Sequence, residues 1–441
     1  MHCFAAMCDA TELTTAREEL SIREERYALA CSRTSDPSPS PPSAGPGSHT
    51  PGSSALAGFA NLLNTVIGGG ILSLPFAFCA SGLGVGVAYQ LVFGSASWFG
   101  SWLLLDALRY QPCKSYEALA RAALGRWGAL AYNAAALINC YGAMVSYIIV
   151  TGDILPPLLH EMGYNVSRTV VLAALTAIII LPLSSLRDIS ALQYSSGLAV
   201  LIYIAFVCTL LYLASEEGAA PRDWPLVRYD AAGWIRAVPL CAFAFLHQTS
   251  LFPIYQEMRD PSPRRMRAVV GASVGSAMVL YILTALAAYA RFGDAIAGDI
   301  LINLASVDST AVRVVRLAFS VSVCLTYPCL HYAARRALDQ ILSDRGDAEM
   351  PTGYRLGLTI GLVSSSLVMA ILVTRVEVIF GFTGALASTM ISYVLPGAIS
   401  LMARPHRLAS WRRNGLTILF LTSGALCGLV ALANHAVETF G

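Results

Sequence analysis

The sequence is poor in charge. Only 13% of its 441 residues are Asp, Glu, Lys or Arg, against 56% apolar, and the mean hydropathy is +0.61. A soluble domain carries about 25% charged residues to cover its surface, so that class is excluded. The sequence contains no G-x-x-x-x-G-K-[ST] loop, which argues against an ATP-driven pump. Paired intramembrane carboxylates, a His/Asp cluster and a nucleophile elbow are all missing, so an enzyme is not expected. The 11 cysteines form no C-x-x-C pair and avoid the loops assigned below to the exoplasmic side. Neither a structural disulfide nor a metal site is expected from them. The N-terminus lacks a basic-then-apolar pattern, and the first span is expected to act as the insertion signal.

Long apolar runs fill the rest. No charged side chain occurs from Pro37 to Leu105, and about 20 apolar residues suffice to cross a bilayer. The runs are too long for barrel strands and lack strict alternation, so the expected class is an all-α polytopic membrane protein. Eleven spans are expected, near 55–79, 84–107, 128–153, 169–186, 190–213, 237–255, 268–290, 311–334, 355–373, 377–402 and 415–435. SGLGVG (81–86) reads as the turn between the first two. Residues 1–52, with a Pro/Ser/Gly run, read as a disordered cytosolic tail, and 53–441 as the transmembrane domain. With the N-terminus inside, 21 of the 29 Lys and Arg fall on cytosolic segments and 8 on exoplasmic ones. This bias predicts a cytosolic N-terminus and, with an odd number of spans, an exoplasmic C-terminus. Asn165-Val166-Ser167 is then an exoplasmic glycosylation sequon, and QEMRDPSPRRMR (256–267) is a cytosolic basic loop facing anionic lipid.

Two spans are irregular. NLLNTVIGGGILSLPFAF (61–78) carries Gly68, Gly69 and Gly70 in succession with Pro75 beyond. Each mid-helix glycine costs about 1 kcal/mol relative to alanine, so the helix is weakest there. Broken helices survive in lipid only where the freed backbone faces protein, water or a ligand, and in transporters they mark the binding site. PLCAFAFLHQTSLFPIYQ (239–256) sets His247, Gln248 and Thr249 at mid-span before Pro253, and polar groups at that depth are expensive. These are the first and sixth spans. Their spacing matches an inverted repeat of five plus five helices with one extra.

From about Ser53 onward the sequence resembles the amino acid/auxin permease family, which includes sodium-coupled neutral amino acid transporters and vacuolar amino acid transporters. The resemblance rests on 61–78, SYEALARAALG (115–125), SYIIVTGDILPPL (146–158), LPLSSLRDISALQYSS (181–196), FAFLHQTSLFPIYQEMRDPSPRRM (243–266), AYARFGDAIAGDIL (288–301) and VRLAFSVSVCLTYPCL (315–330), in that order. It implies a LeuT-like, APC-superfamily fold and secondary active transport of amino acids, most simply neutral ones, by alternating access. The substrate then lies between the broken spans. Asn64, Thr65, Gly68, Gly69, Gly70, Phe245, His247 and Thr249 are its candidate ligands, with Tyr141, Asn139 and Ser146 from the third span.

The resemblance leaves the coupling ion open. For Na+ it implies Asn64 and the Ile67 carbonyl facing Ser322 and Thr326, although Cys324 between these hydroxyls is a poor ligand for a hard cation. For H+, His247 is the mid-span residue that titrates near neutral pH, with His331 and His435 nearer span ends. Asp153 is expected to cap a loop or line the vestibule. The expected partners are the amino acid and membrane lipid, with no cofactor, nucleic acid or obligate protein partner. The membrane is plasma, vacuolar or lysosomal. An amino-acid sensor signalling through the N-terminal tail is the alternative.

Overall fold

The structure, a computed structural model, describes residues 53–186, 195–216, 223–343, 350–404 and 411–440. The tail expected over 1–52 lies outside the described residues. The first apolar run forms two helices. α1 (Ala55–Ile67) starts at Ser54, whose hydroxyl accepts the Ala57 N–H, and stops at the glycines. α2 (Gly70–Ser81) continues after a 50° bend. The turn expected over 81–86 is confined to Gly82 (φ 97°), after which α3 (Leu83–Ala107) begins. α4 (Tyr116–Glu161) kinks at Gly125 (φ 73°), and α5 (Arg168–Ser185) and α6 (Ser195–Ser215) follow. The sixth run is again split, into α7 (Ala231–Ala244) and α8 (Gln248–Glu257). α9 (Pro263–Phe292) is followed by a short cap helix, α10 (Ile300–Ala305). The remaining long helices are α11 (Thr310–Ser343), α12 (Thr352–Leu372), α13 (Val376–Ala403) and α14 (Trp411–Phe440).

Among the described residues nine helices are long and apolar enough to cross a membrane, and the bent α1–α2 pair makes ten. The expected second span, near 84–107, is α3, 25 residues long, and it is not among these ten, so the expected count of eleven is not reached. Its Gln90, Ser95, Ser97, Ser101 and four glycines leave it outside that set.

Lipid tails are as apolar as leucine, so burial alone does not hold such helices together; close packing and hydrogen bonds do. The central helices are the ones most covered. In α4, 78% of the apolar window is buried, in α7–α8 72%, and in α14 only 22%. The outer faces carry Leu91, Leu201, Leu419 and Leu429, all exposed. Backbones touch where glycine permits: Gly100 lies against the Ser392 carbonyl and Gly384 against that of Pro239, leaving no room for a Cβ. Polar links then fix the ends. Arg404 donates to Asp106 at 3.0 Å, joining buried ends of α13 and α3. Ser53 pairs with the strand-like stretch after α8, its N–H on the Glu257 carbonyl at 2.8 Å. Asn165 is exposed between α4 and α5.

Candidate functional site

The two breaks meet at the centre. Gly68 takes φ 37°, ψ −139°, a conformation that costs any residue with a Cβ, while its N–H still reaches the Asn64 carbonyl. At the second break Phe245 and His247 leave helical geometry before α8 restarts at Gln248. Gly70 sits directly on Ala244: a Cβ there would stand 2.9 Å from the Ala244 Cα. The carbonyls freed at both breaks converge on one hydroxyl. Tyr281 Oη of α9 lies 2.6 Å from the Val66 oxygen, 2.8 Å from that of Ala244 and 3.3 Å from that of Ile67. Tyr281 is fully buried, so its single proton is shared among backbone oxygens that lipid would leave bare. Nothing in the sequence around Tyr281 marks it, because its role depends on two segments more than thirty residues away.

A cavity of about 660 Å³ opens beside the breaks. On α1 it is lined by Asn61, Asn64, Thr65 and Gly68, and across the second break by Leu246, Thr249, Ser250 and Pro253. Each set follows the i, i+3, i+4, i+7 spacing of one helical face. Pro253 has no N–H to offer the Thr249 carbonyl, so that acceptor is also free of its helical partner. Gly69 and Gly70 border the cavity too, with Asn139 and Tyr147 from α4, Tyr203 from α6 and Thr326 from α11. Asn64 donates to Ser196 at 3.3 Å, and Thr65 to the Asn61 carbonyl at 3.0 Å. Asn139 Oδ1 is buried without a hydrogen-bond partner among the described residues. Among the described lining residues the charged ones are Glu117, Glu257 and Arg336, with Ser115 and Gln340 also in the lining.

Phe243 and Phe380 stack with ring centroids 4.4 Å apart, and Phe380 lies over Gly69, where a Cβ would come within 2.8 Å of its ring.

Of the sequence candidates, Asn64, Thr65, Gly68, Gly69, Gly70, Thr249, Asn139 and Thr326 line the cavity. Phe245, His247, Tyr141, Ser146, Ile67 and Ser322 do not. The restart at Gln248 sets the phase of the second break, turning 246, 249 and 250 toward the cavity and 245, 247 and 248 toward α3. His247 is buried in a complete network. Its Nε2 is 2.8 Å from Ser101 Oγ, and its Nδ1 is 3.0 Å from the Phe245 carbonyl. Gln248 extends the network, donating to Ser97 Oγ at 2.9 Å and accepting from Ser392 Oγ at 2.9 Å. The cluster pins the break to α3 and α13. Tyr141 and Ser146 lie off the stripe of α4 that carries Asn139, Ala143 and Tyr147. Ser322 is one turn beyond Thr326, whose hydroxyl donates to the Ser322 carbonyl at 2.8 Å. The Ile67 carbonyl is taken by Tyr281. Phe380 and Tyr203 were not anticipated, since aromatic residues in apolar runs carry no distinguishing signal.

The profile of the family described as "Transmembrane amino acid transporter protein" matches residues 51–436. Sodium-coupled neutral amino acid symporter 2 of Danio rerio is 26% identical over 416 residues, covering 86% of this chain and 81% of that protein. Vacuolar amino acid transporter 5 of Schizosaccharomyces pombe is 27% identical over 362 residues, covering 79% and 84%. Solute carrier family 38 member 10 of Mus musculus is 27% identical over 363 residues, and there the match spans only 32% of the longer relative. Among solved structures, MhsT in complex with L-phenylalanine superposes with a TM-score of 0.56 at 14% identity, covering 87% of this chain and 99% of that one. A Na+-coupled sialic acid symporter in a substrate-bound outward-open state gives 0.51 at 10%, covering 88% and 90%. These two share the LeuT-like fold expected from the sequence. The profile runs through both breaks and every helix of the cavity, and the chain belongs to the family of transmembrane amino acid transporter proteins.

Proposed function

We propose that the protein is a secondary active transporter of neutral amino acids, working by alternating access, and that the structure represents its state open to the cytosol. The observation that carries this is the meeting of two broken helices beside one cavity, with Phe380 stacked on Phe243 and lying over Gly69. Helix N-termini offer N–H groups to a carboxylate, and those of Gly69 and Gly70 open α2 at the cavity wall. The Asn139 Oδ1 and the Thr249 carbonyl are acceptors for an ammonium group. No charged side chain borders the breaks themselves, which favours substrates with uncharged side chains. The Lys and Arg bias puts the mouth, near Ser115 and Glu257, on the cytosolic side.

For the coupling ion, Na+ is the better-supported choice. Asn64 and Thr326 both present side-chain oxygens to the cavity lining, the ligand type a hard cation takes. Relatives named as sodium-coupled support the same reading. Cys324 stands 3.9 Å from Thr151 Oγ1 and does not line the cavity. His247 does not line the cavity. The test is uptake into proteoliposomes across the proteinogenic amino acids, with an imposed Na+ or H+ gradient. Accumulation driven by Na+ is expected. Failure of every amino acid under either gradient would overturn the reading.

A further inference from the structure

On the face opposite the cavity mouth, the chain between α9 and α11 folds back as a cap. Ile296, Ile300, Leu301 and Leu304 anchor it, all buried. Asp299 begins α10, its Oδ1 accepting the Leu301 N–H at 2.8 Å. The residue is 1% exposed. Its other oxygen, Oδ2, has no hydrogen-bond partner among the described residues. A charged oxygen buried without a donor is costly.

Each element packed around the cap brings ionisable groups. α4 brings Asp153, which Arg168 faces with Nε at 3.5 Å. α13 brings Glu377, paired with Arg375 at 2.7 Å, its carboxylate pressed against Gly298. α11 brings Arg316, fully buried, whose Nη2 donates to the Asp153 carbonyl at 3.3 Å rather than to Asp299. α2 brings Cys79, turned to the Gly293 carbonyl at 4.0 Å, and Asp294 is paired with Arg228. Of these four carboxylates, Asp299 alone has no arginine partner among the described residues.

We propose that Asp299 is a proton-binding residue of the closed cap, protonated at Oδ2 while this face is sealed and ionised when the cap lifts into water. The step moves one proton between bulk water and Oδ2, and no other bond changes. Burial pushes the Asp299 carboxyl up to about 8, the Leu301 N–H pulls it down, Asp153 and Glu377 push it up, and Arg316 pulls it down. In water the group titrates near 3.8. The sign follows by linkage: protonation favours the sealed state. That preference is complete below the solvated value, falls by up to tenfold per pH unit above it, and is gone above about pH 8. The consequence for transport rests on the alternating-access reading; the protonation itself does not.

The test uses the full chain. Infrared difference spectra of the purified protein between about pH 7.5 and about pH 10 should show a protonated-carboxyl band in the wild type that is missing in Asp299→Asn. A band that persists in the variant, or is absent from the wild type, overturns the proposal. Should Asp299→Asn fail to fold, Glu377→Gln removes one repelling charge and should lower the midpoint of the wild-type band; an unchanged or raised midpoint counts against it. In proteoliposomes, uptake from the sealed-face side should vary with the pH of that side in the wild type and be flat in Asp299→Asn. An unaltered profile in the variant overturns the role in gating. If the wild type takes up no amino acid, the transport reading fails and the infrared comparison still decides Asp299.

Discussion

Substituting Gly70 by alanine probes whether the two broken helices are in contact. The added Cβ would stand 2.9 Å from the Ala244 Cα and 3.1 Å from its Cβ. Carbon atoms settle at about 3.5–4.0 Å, so the half-helices must part by roughly 0.5–1 Å. Neither obstructing atom belongs to a flexible side chain. The Tyr281 hydroxyl, at 2.6 and 2.8 Å from carbonyls on the two halves, leaves little slack. Overpacking costs about 1–3 kcal/mol, while alanine inside a helix returns up to about 1 kcal/mol relative to glycine. The net loss is about 0–3 kcal/mol, or up to roughly 150-fold in affinity. Equilibrium binding of a labelled amino acid to the purified full chain reads it directly. Gly361→Ala serves as the control, since nothing lies within 4 Å of its Cβ position, and it should leave binding unchanged. The two opposing effects make the sign decisive. Tighter binding by Gly70→Ala would refute the contact.

Tyr281→Phe leaves the carbonyls of Val66, Ile67 and Ala244 without their shared donor, at a cost of about 1–3 kcal/mol; thermal unfolding should shift down and substrate binding weaken together. Phe380→Ala removes the ring stacked on Phe243 and lying over Gly69. Proteoliposomes carrying it should lose preloaded amino acid faster than wild type, and an unchanged efflux would mean that other contacts seal that face. His247→Ala strips the partners of Ser101 and the Phe245 carbonyl, so stability should fall by about 1–3 kcal/mol. The pH midpoint of uptake should stay where it was; a shifted midpoint would restore His247 as a proton carrier.

Much of the cavity lining was legible because its signals are local. Three consecutive glycines weaken a helix wherever they occur, and the first break falls on them. The second break was readable to within a few residues from His247, Gln248, Thr249 and Pro253, but its phase was not. One residue of shift where α8 restarts decides whether His247 or Thr249 faces the cavity, and no local preference sets that shift. Ser322 and Tyr141 lie off the cavity for a related reason: depth and rotation of a helix depend on its neighbours.

By itself, the sequence determined the class, the helix order and the two weak points, because apolar length, glycine and proline act within one segment of chain. The tertiary structure alone decided which atoms meet. It set Tyr281 on the carbonyls of both breaks, Phe380 over Gly69, and Asp299 beside carboxylates from α4 and α13. Such meetings depend on the rotation and depth at which distant helices pack, and these are properties of the assembled bundle rather than of any one run of residues.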